Sequence, residues 1–192
     1  MKNAGLIFTI ALLFFGAFYR VIRLELLPEL PNFSPVMAIA FCGALFLPGR
    51  LVFFVALPAL FVSDLILNWH YGVPLVDAGM IPIYACYGFA IWMGYLMRGR
   101  NLAWIVSAVL VNAIVFYLVT NTLAWGSLNY PRTIYGWLQA VTVGLPGYPP
   151  TWMFFRNSAF GDLLFTGLFL GTFYASKKRK AAPKRARQEA SV

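Results

Sequence analysis

Apolar positions in this chain gather into long runs, and six can be traced. They are Ala4 to Ile22, Pro35 to Leu47, Leu51 to Asn68, Gly79 to Met97, Leu102 to Ala124 and Phe154 to Ala175. A helix needs roughly twenty residues to cross ~30 Å of hydrocarbon, and five of the runs reach that length. The second is short, bounded by Pro35 and by Pro48-Gly49-Arg50. It is expected to be tilted, re-entrant or matched by local bilayer thinning. The pattern predicts an all-α membrane protein. Residues 1–176 form a single six-transmembrane-helix bundle, and 177–192 form a disordered basic cytoplasmic tail.

Composition agrees with that reading. The 192 residues are 61% hydrophobic, 18% aromatic and only 11% charged, with a mean hydropathy of +0.74. Soluble domains of this size carry about a quarter charged residues, and no water-soluble core could hide so much apolar surface. The N-terminal run resembles a signal peptide. It has no small-x-small cleavage site, and Arg20 and Arg23 follow it directly, so an uncleaved first span is expected.

The formal charge of +9 is concentrated at one end: Lys177, Lys178, Arg179, Lys180, Lys184, Arg185 and Arg187 all lie in the tail. Such a run can signal nucleic-acid binding. After a final apolar helix it reads instead as a cytoplasmic anchor touching anionic lipid headgroups, and no nucleic-acid partner is expected. Cys42 and Cys86 sit inside apolar runs, far from the single histidine, His70. Neither a metal cluster nor a disulfide is expected of them.

Lys/Arg bias sets orientation. With the tail inside and six spans, both termini are cytoplasmic. Lys2, Arg50, Arg98 and Arg100 then fall inside, while Arg20, Arg23, Arg132 and Arg156 fall outside, the first two with Glu25 and Glu29 nearby. Inner turns are tight. The outer connections (Leu24 to Ser34, Trp69 to Ala78, Trp125 to Met153) are longer and rich in Pro, Trp and Tyr. That asymmetry puts the working face away from the cytoplasm, with the bacterial inner membrane as the expected location.

Against this apolar background, Asp64 and Asp162 stand out. An ionisable group at membrane depth is costly unless paired, solvated or neutralised, and by default marks a pathway or site. In this topology the other polar groups reach the same outer level. Asn68 shares the face of Asp64. Tyr84 and Tyr87 share a face of the fourth run, Tyr117, Asn121 and Trp125 follow at i, i+4, i+8, and Asn157 precedes Asp162. An apolar, aromatic cup with a few polar groups is small-molecule-pocket chemistry.

Other readings stand beside it. Trp69, Tyr71, Trp125, Tyr130 and Trp152 suit an interfacial aromatic belt. Ser34 and Asn157 suit helix caps, and Asp162 suits a helix N-terminus. The carboxylates and Asn121 suit interhelical glue. Ala40 with Ala44, and Gly167 with Gly171, are small-x3-small pairs that let helices approach closely, within the fold or against a partner. No Walker A loop, HExxH or serine–histidine arrangement is present, so an enzyme is not expected, nor a cofactor or a metal.

Several stretches together resemble a family of six-span bacterial membrane proteins of undetermined activity: Asn32-Phe33-Ser34-Pro35-Val36, Ser63-Asp64, Tyr84, Thr120-Asn121 with Trp125, Tyr130-Pro131 with Thr133 and Gly136, and Phe154-Phe155-Arg156-Asn157 with Gly161-Asp162-Leu163. That family in turn is similar to the S components, the substrate-binding subunits of energy-coupling factor (ECF) transporters. The resemblance implies six helices, a pocket under the outer loops, and energisation by a shared membrane subunit and two ATPases. The chain departs from many S components in lacking an Ala-x3-Ala pair on its first span.

The expectation is therefore a solute-binding transport subunit for a small polar or aromatic molecule, contacting lipid and an ECF-type membrane subunit with its ATPases. Asp64, Asn121, Asn157 and Asp162 would hydrogen-bond the solute, and Tyr84, Tyr117 and Trp125 would line its pocket. The rival is a non-transporting membrane scaffold, like the small subunits of cell-wall elongation machinery.

Overall fold

The computed structural model describes residues 11, 14–16, 18–22, 32–47 and 50–189, with side chains omitted at 55 and 176–189. Lys2, the connection through Arg23, Glu25 and Glu29, the Pro48-Gly49 turn and residues 190–192 lie outside the described residues. Regular structure among the described residues is entirely helical. Helical residues within 14–22 precede α1 (Val36–Phe46), α2 (Leu51–His70), α3 (Met80–Leu96), α4 (Leu102–Ser127), α5 (Ile134–Ala140) and α6 (Thr151–Glu189).

Among the described residues, three helices are long and apolar enough to cross a membrane: α2, α4 and the Thr151–Ala175 portion of α6. Their length and composition mark a membrane protein. The helices follow the apolar runs closely, with two differences. The connection expected between Trp125 and Met153 contains the short helix α5. The last helix continues to Glu189, through the basic stretch expected to start a disordered tail at Lys177; Lys, Arg, Ala and Gln are all good helix formers.

The short second run has an unexpected place. At 11 residues, α1 is only about 16 Å long. Every residue from Val36 to Ala44 is buried, as befits a helix apolar on all sides. It packs against α3 above all, and also against α6, α2 and α4. The N-terminal stretch closes the remaining side, where a Cβ on Gly16 would stand 2.6 Å from Ile39 Cδ1. So α1 is the centre of the bundle rather than a lipid-facing span.

Close packing here depends on small residues. A Cβ on Gly94 of α3 would lie 2.3 Å from the Phe41 carbonyl oxygen and 2.9 Å from Ala44 Cβ. Ala44 therefore belongs to an internal contact. Gly167 and Gly171 do not, since a Cβ on either would meet nothing within 4 Å. They lie on an exposed face of α6 with Phe160, Leu164 and Leu168.

A buried helix must still satisfy its end groups, and neighbours do this for α1. The carboxylate of Asp162 on α6 accepts the Ala38 backbone N–H in the first turn. At the other end the Arg98 guanidinium donates to the carbonyls of Ala44 (Nε, 2.9 Å) and Leu47 (Nη2, 2.6 Å), and it sits 4.5 Å from the Tyr95 ring centroid. An acceptor at the N-terminus and a cation at the C-terminus both suit the polarity of the helix ends.

Candidate functional site

The Asp64 carboxylate, 7% exposed, is not alone at its depth. It forms an ion pair with Arg20 of the N-terminal stretch and accepts a 2.7 Å hydrogen bond from the Tyr84 hydroxyl. Arg20 also donates to Ser63 Oγ at 3.0 Å, and Ser63 donates to the Leu60 carbonyl at 2.7 Å. Tyr84 meets Tyr87 edge-on at 5.1 Å. A buried carboxylate is tolerable when paired and fully hydrogen-bonded, and this network supplies both conditions.

Arg20 also lines a central cavity of about 200 Å³, together with Asn32, Ser34, Tyr87, Ser158 and Asp162, and with Leu67, Tyr71 and Phe116 as apolar and aromatic wall. The cavity sits where the chain enters α1. Asn32 has φ +60°, a left-handed conformation that Asn tolerates better than most residues, and the chain turns there into Ser34 and Pro35. Gly161 of α6 lies against this entry, where a Cβ would be 3.3 Å from both Phe33 Cδ2 and the Ser34 nitrogen.

Asp162 is 2% exposed. One oxygen serves Ala38, while Oδ2 has no hydrogen-bond partner among the described residues, and neither has Ser34 Oγ. In a gap shared with it lies Asn112, 1% exposed, both of whose side-chain polar atoms are likewise unpartnered among the described residues. Asn112, Thr166 and Asp162 share a narrow gap against Met37, Ala38 and Phe41. Unsatisfied polar atoms in an apolar interior cost about 1–3 kcal/mol each, so their concentration around Asp162 distinguishes this place from the rest of the core.

A second, larger cavity of about 690 Å³ opens between the end of α4, the following connection and the start of α6. Thr120, Asn121, Asn129, Tyr130, Tyr148 and Thr151 contribute its polar edge, and Asn32 lines both cavities. The connection beneath which it lies is tied down. Thr133 caps α5 by accepting the Gly136 N–H at 3.2 Å, and Trp137 Nε1 donates to Thr122 Oγ1 at 3.0 Å.

The seven residues expected to bind solute are thus distributed over several places. Asp64 and Tyr84 meet in the Arg20 network, Asp162 lines the central cavity and Asn121 the second. The Asn121 amide nitrogen folds back onto the Tyr117 carbonyl at 2.8 Å. Tyr117 and Trp125 spend their polar groups on the connection between α4 and α6, donating to the Val141 carbonyl at 2.6 Å and the Pro131 carbonyl at 2.8 Å. Neither lines either cavity. Asn157 is buried and accepts from the neighbouring Arg156. Asp162 and Asn121, expected on one level, line separate cavities.

Arg20, Tyr87, Ser158 and Asn112 were not among the expected site residues. Arg20 carried a signal, being an arginine at the end of an apolar run and expected at the same depth as Asp64. Asn112 carried a weaker one, as a lone amide in the middle of the run from Leu102 to Ala124.

Fold and cavities define an all-helical membrane protein with polar, partly unsatisfied groups gathered around a buried central helix. The chain belongs to the Family of unknown function (DUF6580), whose profile matches residues 2–185. No curated protein and no solved structure matches it.

Proposed function

We propose that this protein is a membrane solute-binding subunit that captures a small polar or aromatic molecule from outside the cell. In this reading six spans cross the bacterial inner membrane, α1 serving as the short second one, with both termini in the cytoplasm. The chain works as the substrate-capture part of an importer of the ECF S-component type, energised by a membrane subunit with ATPases.

One observation carries the reading: the central cavity draws its lining from the N-terminal stretch, the entry to α1, and α2, α3, α4 and α6. Convergence of so many segments on one partly polar, partly aromatic hollow is how ligand sites in helical bundles are built. Asp162, Ser34, Asn32 and Ser158 supply polar contacts, Tyr87 and Phe116 supply wall, and the cavity beside Asn121 serves as the approach. Asp64 and Tyr84 act one step back by holding Arg20.

Native mass spectrometry of gently purified protein tests this. A small molecule retained at one per chain supports it, and its loss on Asp162→Asn would place it in the central cavity. The scaffold reading rests on the open Gly167/Gly171 face of α6, which suits a partner helix. A stoichiometric protein partner with no retained small molecule would favour it.

A further inference from the structure

We infer that the central cavity selects an organic cation, a small molecule with a protonated amine seated on Asp162. This rests on the solute-binding reading above and adds the chemical class of the solute.

The charge inventory of the cavity decides the sign. Among the described residues, its ionisable Asp, Glu, Lys or Arg lining is Arg20 and Asp162. Arg20 is already committed, ion-paired to Asp64 and hydrogen-bonded to Ser63, and Tyr84 takes the other Asp64 oxygen. That network is closed and electrically neutral. Asp162 is different: it has no cationic partner among the described residues, and its Oδ2 accepts no hydrogen bond there. Among the described residues the cavity is left with one carboxyl that has no cationic partner and one unused acceptor.

The N-terminus of α1 opposes this polarity, because helix N-termini favour anions. Here, however, the protein has supplied its own carboxyl group. Asp162 takes the Ala38 N–H, so an incoming carboxylate or phosphate would compete for the same end of the helix while bringing further acceptor oxygens against the unpartnered Oδ2. An acceptor facing an acceptor in a poorly hydrated site leaves both unsatisfied, whereas a donor satisfies Oδ2, and a carboxylate at that place is best stabilised by a cation. A donor-bearing cation meets neither obstacle.

Two further features fit such a guest. Ser34 Oγ, also unpartnered among the described residues, adds a second acceptor at the same entry to α1. Tyr71, Tyr87 and Phe116 present aromatic wall, which attracts cations through ring faces and also packs an apolar body.

The test uses full-length protein in detergent and three probes of one shape: benzylammonium, benzyl alcohol and benzoate. Thermal unfolding is followed against probe concentration, and the charge of any co-purified solute is read by mass spectrometry. Benzylammonium is expected to raise the unfolding midpoint, and benzoate is not. Asp162→Asn should weaken the amine response at least tenfold, and Ser34→Ala should weaken it severalfold. The comparison of probes on the unaltered protein decides the sign even where a variant folds poorly.

Equal stabilisation by benzoate or by benzyl alcohol would overturn the inference, as would an amine response unaffected by Asp162→Asn. A co-purified solute with a basic nitrogen supports it even if benzylammonium is a poor fit. A solute lacking one overturns it and leaves the solute-binding reading standing. No response to any probe, together with no co-purified solute, removes both.

Discussion

The carboxylate of Asp162 holds the backbone N–H of Ala38, tying α6 to the third residue of the buried helix α1. Arg98 closes the opposite end through the Ala44 and Leu47 carbonyls. A short helix in the middle of the bundle is thereby held at each end by a polar side chain from a different part of the chain. The Asp162 side serves two purposes, since the same carboxylate lines the central cavity. The Arg98 side serves one, which makes the two ends separable by mutation.

Replacing Arg98 with Met should lower stability by about 1.5–3 kcal/mol, the range for hydrogen bonds to a charged group, and leave solute retention intact. Lys at this position should recover only part of the loss, because an ammonium lacks the planar fork that spans two carbonyls. Thermal unfolding in detergent measures both. An Arg98→Met protein as stable as the parent would show that the α1 carbonyls are satisfied without it.

The Arg20–Asp64 pair makes a second prediction. Asp64→Asn alone leaves a guanidinium with reduced compensation and should cost about 3–5 kcal/mol, as should Arg20→Met alone. The double variant Arg20→Met with Asp64→Leu should cost clearly less than the sum, since it removes both charges together. A double-mutant cycle reads the coupling directly. Strictly additive losses would mean that the two side chains do not interact in the membrane.

Two glycines should respond in opposite directions. Gly94→Ala places a methyl against the Phe41 carbonyl, 2.3 Å away without adjustment. Overpacking of this kind costs about 1–3 kcal/mol. Gly167→Ala meets open space and should raise stability by roughly 0.5–1 kcal/mol, because Ala is the better helix residue. Should Gly167→Ala instead be destabilising or block assembly in cells, the exposed α6 face has a partner.

Orientation can be checked by single-cysteine labelling after replacing Cys42 and Cys86, both buried in the bundle. A cysteine in place of Tyr148, which is exposed beside the second cavity, should react with an impermeant thiol reagent on intact cells. One in place of Arg100 should react only after the membrane is opened. The reverse result would turn the cavities toward the cytoplasm and end the capture reading.

Several features were legible in the sequence because they are local properties of the chain. The apolar runs set which segments become helices, and α2, α3 and α4 follow them to within a few residues. The oddity of Asp64 and Asp162 was equally plain, since a carboxylate within an apolar run is visible from its neighbours alone. The short second run was recognised as unusual, but length could not separate a tilted span from a buried central helix.

What only the tertiary structure decided is which groups meet. Arg20 and Asp64 lie 44 residues apart, and their pairing depends on the rotation and depth of two helices that no local pattern specifies. For the same reason Tyr117 and Trp125, aligned with Asn121 along one stripe, turned out to be engaged with carbonyls of the connection between α4 and α6. Asp162 and Asn121 were separated between two cavities by the course of the chain around Asn32. Apolarity is written residue by residue, and so the membrane character and helical content of this protein follow from its sequence. Contacts around α1 are not, because a helix that is apolar on every side carries no stripe to say which neighbour each face will meet.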